Sequence, residues 1–145
     1  MKLFTMIFLS IFLGKSCSSQ TKNDLKTAVV EYTANTRGFY QKISIQNQMV
    51  TVTNDRRGGE KPVATTISDA DWKELVGYFE SIQLDSLATL KAPTEKRFYD
   101  GAAIANLKIV YKDKNYETAA FDHGYPPEGI KKLVDKINSF AKKQK

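Results

Sequence analysis

The chain has one cysteine, one histidine and one tryptophan among its 145 residues, with only four prolines. A single cysteine excludes an internal disulfide, so the fold must be held by its core. A single histidine excludes the usual multi-histidine metal sites, and no calcium-loop spacing occurs, so neither a metal nor another cofactor is expected. The G-x-S-x-G nucleophile elbow is absent, as is the phosphate-binding spacing G-x-x-x-x-G-K-[ST]. Long apolar runs are missing too. The most apolar stretch, Leu3 to Leu13, has eleven residues, whereas a spanning helix needs about 20.

What is present fits an ordinary folded protein: 41% hydrophobic and 26% charged residues. The net charge is +6. Nucleic acid is not an expected partner, because no nucleic-acid motif accompanies that charge.

Met1-Lys2 followed by the Leu3–Leu13 run has the layout of a signal peptide. Leu13-Gly14-Lys15-Ser16-Cys17 resembles a lipoprotein lipobox, with small Ser16 directly before the cysteine, Gly14 where a branched apolar residue is usual, and Lys15 as a further departure. The expectation is a signal peptide over residues 1–16 and a lipid on Cys17, which would give the protein a membrane partner through that lipid. Ordinary signal-peptidase cleavage, with Cys17 lost or free, is the alternative. Loss of Lys2 and Lys15 lowers the charge to +4, a mild excess compatible with anionic headgroups or polysaccharide. Residues 17–26 are expected to form the lipidated cysteine and a flexible tether, since 18–26 is polar and aperiodic. Residues 27–145 then form a single domain.

In that domain, Thr27–Ala34, Phe39–Gln46 and Met49–Thr53 read as strands, with turns at Asn35–Gly38 and Asn47-Gln48. Phe39, Ile43 and Ile45 are assigned to one face of the second strand. After a polar loop from Asn54 to Lys61, Pro62–Thr66 reads as a short edge strand. Ser68 and Asp71 have capping-box spacing, and Ile67 and Trp72 occupy hydrophobic-staple positions. Trp72, Leu75, Val76, Phe79 and Ile82 then recur at helical spacing. The second half repeats the order: a strand from Ile104 to Tyr111, a turn at Lys112–Asn115, a returning strand from Tyr116 to Phe121, and a helix opened by Pro126-Pro127. Its apolar residues Ile130, Leu133, Val134, Ile137 and Phe140 match those of the first helix at a constant offset of 58. The expected fold is a two-layer α+β domain. It has an antiparallel sheet of roughly five to six strands, two helices on one face and a (ββα)2 pseudo-repeat.

Two places carry candidate chemistry. The first is the long stretch Leu84–Ala103, where Lys96, Arg97, Tyr99 and Asp100 sit beside Phe98. It reads either as a contact patch for a glycan, peptide or envelope protein, or as a crossover whose aromatics tuck under the sheet. The second is His123, in Phe121-Asp122-His123-Gly124-Tyr125-Pro126-Pro127. It is either a general base oriented by Asp122 or Asp100, or part of a strand-to-helix turn. Adjacent Asp and His side chains on an extended chain point apart, which favours the turn. Arg56, Arg57 and Lys61 around Gly58-Gly59 read as a solvated hairpin tip rather than an anion site.

The segments Gly38-Phe39-Tyr40, Ser68-Asp69-Ala70-Asp71-Trp72, Tyr99-Asp100-Gly101 and the run from Phe121 to Pro127 resemble small lipoproteins of Flavobacteria and related Bacteroidota. The resemblance spans most of the mature chain. It implies a cell-envelope location and carries over no activity and no catalytic residue. The stretch after Cys17 lacks the acidic cluster of similar surface-exported lipoproteins, which implies an outer-membrane anchor facing the periplasm, with the cell surface as the alternative. The expected function is a non-catalytic envelope binding or interaction module. The competing readings are a hydrolase using His123 with a nearby Asp, and an inhibitor or immunity-like protein.

Overall fold

The computed structural model describes residues 24–144. The expected signal peptide, Cys17 and the tether up to Asn23 lie outside the described residues.

The protein is α+β. Strand β1 (Val29–Thr36) turns at Arg37-Gly38 into β2 (Phe39–Gln46), which returns as β3 (Met49–Thr53). The β2–β3 turn places Asn47 and Gln48 at φ 51° and 61°, the paired positive-φ geometry of a tight hairpin. Strand β4 (Val63–Thr66) is the exposed edge, and helix α1 (Asp69–Glu80) follows it. Strand β5 (Ile104–Tyr111), the short β6 (Lys114–Glu117) and the two-residue β7 (Phe121–Asp122) precede helix α2 (Lys131–Lys143). All pairings are antiparallel, in the order β4-β3-β2-β1-β5-β6, with β7 pairing to β5 beside this path. The helices thus close unequal units, four strands before α1 and three before α2.

Register makes the sheet two-sided. Val30, Tyr32 and Ala34 stand beside Ile45, Ile43 and Gln41 on one neighbour and Ile109, Leu107 and Ala105 on the other. All of these are buried, and with Trp72, Leu75 and Phe79 of α1 and Leu133, Ile137 and Phe140 of α2 they make the core. The opposite face carries half-buried polar residues, among them Glu31, Thr33, Lys42, Ser44 and Lys108, with a Glu31–Lys42 ion pair at 3.1 Å. Ser68 caps α1 by accepting the Asp71 N–H at 3.2 Å. Asp71 also binds Lys136 and Lys143, which ties α1 to α2.

Five expectations are corrected. The tether does not run to Lys26: Leu25 is buried in the core, Leu25–Thr27 forms a 3-10 helix, and the Asp24 N–H donates to the Tyr111 hydroxyl at 3.1 Å. One apolar side chain with room in the core outweighs the polar composition around it. Strand β1 extends to Thr36, and the Lys112–Asn115 turn shrinks to two residues, because Lys112 and Asp113 take φ 48° and 61°. The long stretch 84–103 contains two 3-10 helices, Leu84–Thr89 and Lys96–Tyr99, the first anchored by buried Leu84 and Leu87. Pro126 and Pro127 lie before α2 and are buried, with a 3-10 turn Glu128–Ile130 between them and the helix.

Among the described residues no helix is long and apolar enough to cross a membrane.

Candidate functional site

The run around His123 is a tight reversal. Asp122 and Tyr125 are bridged, with the Tyr125 N–H donating to the Asp122 carbonyl at 2.9 Å, and Gly124 takes φ +90°, which L side chains rarely adopt. The His123 N–H is fixed by the Ala103 carbonyl at 2.9 Å. Successive side chains then point apart. Phe121 enters the core against Tyr32, Asp122 faces the 94–97 segment, and His123 faces α2.

Asp122 is fully buried and serves as a structural hub. Its carboxylate accepts from the Thr94 hydroxyl, the Lys96 N–H at 2.6 Å, the Arg97 N–H at 3.0 Å and the Arg97 Nη1 at 3.1 Å. Burial pushes its pKa up, but the four donors outweigh that and hold it at about 2. Arg97 is therefore a brace for its own loop. Lys96 lies 4.0 Å from the Tyr125 ring centroid and donates to the Tyr125 hydroxyl at 2.8 Å. Asp100 ends the 3-10 helix at φ 58°, and at Gly101 a Cβ would sit 2.8 Å from the exposed Tyr99 ring and 3.2 Å from the Lys96 carbonyl, so a side chain there would push Tyr99 aside. Phe98 and Tyr99 are exposed at 72% and 71%, so neither tucks under the sheet.

His123 is half-buried in a cleft of about 420 Å³ between the sheet end and α2. Phe39, Gln41 and Asn54 form the sheet-side wall, and Asp135, Asn138, Ala141 and Lys142 form the helix-side wall. Lys96, Arg97, Tyr99 and Asp100 are not among its lining residues, so His123 and the loop form separate sites. The imidazole packs against Tyr32 and Phe39, with ring centroids at 5.9 Å and 5.4 Å. Its Nδ1 is 2.7 Å from the Tyr32 hydroxyl. Burial lowers the His123 pKa, with Lys142 adding to the effect, so the ring is neutral near pH 7. Burial also raises Tyr32 to about 12, with the Asn138 amide opposing and Asp135 reinforcing. A neutral ring and a tightly held phenolic proton fit Tyr32 as donor and Nδ1 as acceptor, which leaves the ring N–H on Nε2.

Asp135, the one carboxylate lining the cleft among the described residues, is ion-paired with Lys131 at 2.6 Å. Asn138 donates to the Val134 carbonyl, and its buried Oδ1 has no partner among the described residues. Ser139 and Lys142 have the Ser-x-x-Lys spacing found in some nucleophilic enzymes. The Ser139 hydroxyl donates to the Lys136 carbonyl at 2.6 Å, an ordinary intrahelical bond. Among the described residues no group of three or more His, Cys, Asp or Glu could hold a metal ion.

A second groove of about 340 Å³ shares Phe39 and Asn54 with the cleft and adds Arg37, Arg56 and Arg57. The loop beneath it is held by Asp55, which accepts from the N–H groups of Arg57, Gly59 and Glu60 at 2.8, 2.6 and 3.0 Å. The 54–61 segment is therefore an ordered turn with its arginines displayed. Gln41, Asn54 and Asn138 escaped sequence reasoning because only register and the path of α2 bring them to His123. Comparison of the chain with protein families, curated proteins and solved structures finds no match.

Proposed function

We propose that the protein is a non-catalytic binding module of the cell envelope whose ligand site is the His123 cleft. The carrying observation is that the imidazole Nδ1 is engaged by the Tyr32 hydroxyl rather than by a carboxylate. Without an orienting acid, and with a lowered pKa, the ring serves better as a fixed hydrogen-bonding group than as a general base. The surrounding amides and one aromatic face suit a polar ligand. The hydrolase reading needs Asp122 or Asp100 on His123, but Asp122 is occupied by the 94–97 segment and Asp100 terminates a turn there. The inhibitor reading looks to an apolar open sheet face, whereas that face carries polar residues. The exposed Phe98 and Tyr99 favour a second contact surface for an envelope protein or peptide.

The envelope assignment rests on the signal-peptide layout, the lipobox-like segment ending at Cys17 and the resemblance to Bacteroidota lipoproteins. The stretch after Cys17, which lacks the acidic cluster of similar surface-exported lipoproteins, supports an outer-membrane anchor facing the periplasm.

The single histidine makes the test direct, because its Hε1 proton gives one unambiguous NMR signal. Titration of the purified protein with envelope polysaccharide fractions is expected to move that signal saturably, with Asn54→Ala weakening the effect. A ligand that binds with the ring signal unmoved, or an unaffected Asn54→Ala variant, would remove the cleft from the proposal.

A further inference from the structure

The cleft and the arginine groove meet at Phe39 and Asn54, and the chemistry of the pair is more specific than that of either alone. We infer that the ligand is an acidic polysaccharide of the uronic-acid type, laid across Phe39 with sugar hydroxyls in the His123 cleft and carboxylates on Arg37, Arg56 and Arg57. This rests on the proposed cleft site and names its ligand class.

Charge gives the first argument. Arg37, Arg56, Arg57 and Lys142 line the two concavities, against Asp55 and Asp135. Both acids are already engaged, Asp55 by three backbone N–H groups and Asp135 by Lys131. Four cations against two carboxylates leave a surplus of positive charge facing an arriving ligand. Arg56 is also oriented in advance. Its Nη2 donates to the Thr36 carbonyl at 2.7 Å, and its guanidinium carbon lies 5.8 Å from the Tyr40 ring centroid. Nη2 also reaches the Phe39 carbonyl at 3.4 Å, so the Nη1 and Nε N–H groups are those left to donate to a carboxylate.

The shared wall gives the second. Phe39 is 38% exposed between the two concavities, where a sugar's C–H face can stack on the ring. Gln41 and Asn54 supply donor-and-acceptor amides and His123 a ring N–H, groups matched to hydroxyls. An acidic peptide could also use the arginines, but strand addition at a sheet edge would not bring it to the cleft. The cleft lies at the strand ends under α2, and edge strand β4 is on the far side of β3.

The test measures binding of the purified full chain to polygalacturonate, with dextran as a neutral polysaccharide and poly-glutamate as an acidic peptide. The expected result is preference for polygalacturonate, weakening as salt rises from about 0.05 to about 0.3 M. Arg37→Ala/Arg57→Ala is expected to weaken binding about tenfold, and Phe39→Ala to weaken it by a similar factor. Unchanged melting temperatures would show that the variants fold. Equal or tighter binding of poly-glutamate, or no loss in either variant, overturns the inference. So does absence of polygalacturonate binding. If dextran alone binds and shifts the His123 signal, the ligand class fails while the cleft reading stands. If polygalacturonate binds without moving that signal, both fail.

Discussion

At His123 the proton equilibrium follows from the setting: Tyr32 on β1 engages one nitrogen, and Lys142 and Asp135 face the ring from α2. Burial and Lys142 lower the folded-state pKa, so the unfolded chain binds more protons between that value and about 6.5. The stability this residue contributes is complete above about pH 7 and declines as pH falls through about 6.5 towards the folded pKa. His123→Gln is expected to flatten that part of the profile. Denaturant midpoints of both proteins at about pH 7.5 and about pH 5.5 provide the measurement, and equal slopes would contradict the assignment.

On the level of elements, the 94–97 segment is held by one buried carboxylate. Asp122→Ala would leave the Arg97 guanidinium without its ion-pair partner and the Lys96 and Arg97 N–H groups without their acceptor. A loss of about 3 kcal/mol in unfolding free energy is expected, with faster hydrogen exchange concentrated at Thr94 to Arg97. Exchange spread evenly over β5 instead would mean that Asp122 supports the sheet rather than the segment. This brace was invisible in the sequence, because its partners lie 25 to 28 positions away and nothing periodic marks them. Longer elements were legible for the opposite reason. Ser68, Asp71, Ile67 and Trp72 mark the start of α1 locally, and the alternation of β2 and β5 fixes both strands to the residue. The 3-10 helices and β7 are too short to show a period, so only tertiary contacts define them. Of the candidate site, His123 was legible from its rarity, while the walls around it depend on register and on the crossing of α2.

For the whole molecule, the α+β layering followed from two apolar helix faces and one alternating sheet face. The proposed membrane attachment depends on a different part of the chain. Radiolabelled palmitate is expected to enter the wild-type protein and not Cys17→Ala, and the variant is expected to leave the membrane fraction. Label retained by the variant would withdraw the lipid proposal.

Asp24, the first described residue, has its N–H on the hydroxyl of Tyr111, the last residue of β5. His123 stands at the other end of that strand, where β7 pairs with Ile104. Eight residues of β5 at about 3.3 Å each separate the two by roughly 25 Å. The sheet is in effect a spacer between two poles. A lipid on Cys17 would leave the arginine-rimmed mouth on the pole away from the bilayer, open to polymers that never touch the membrane.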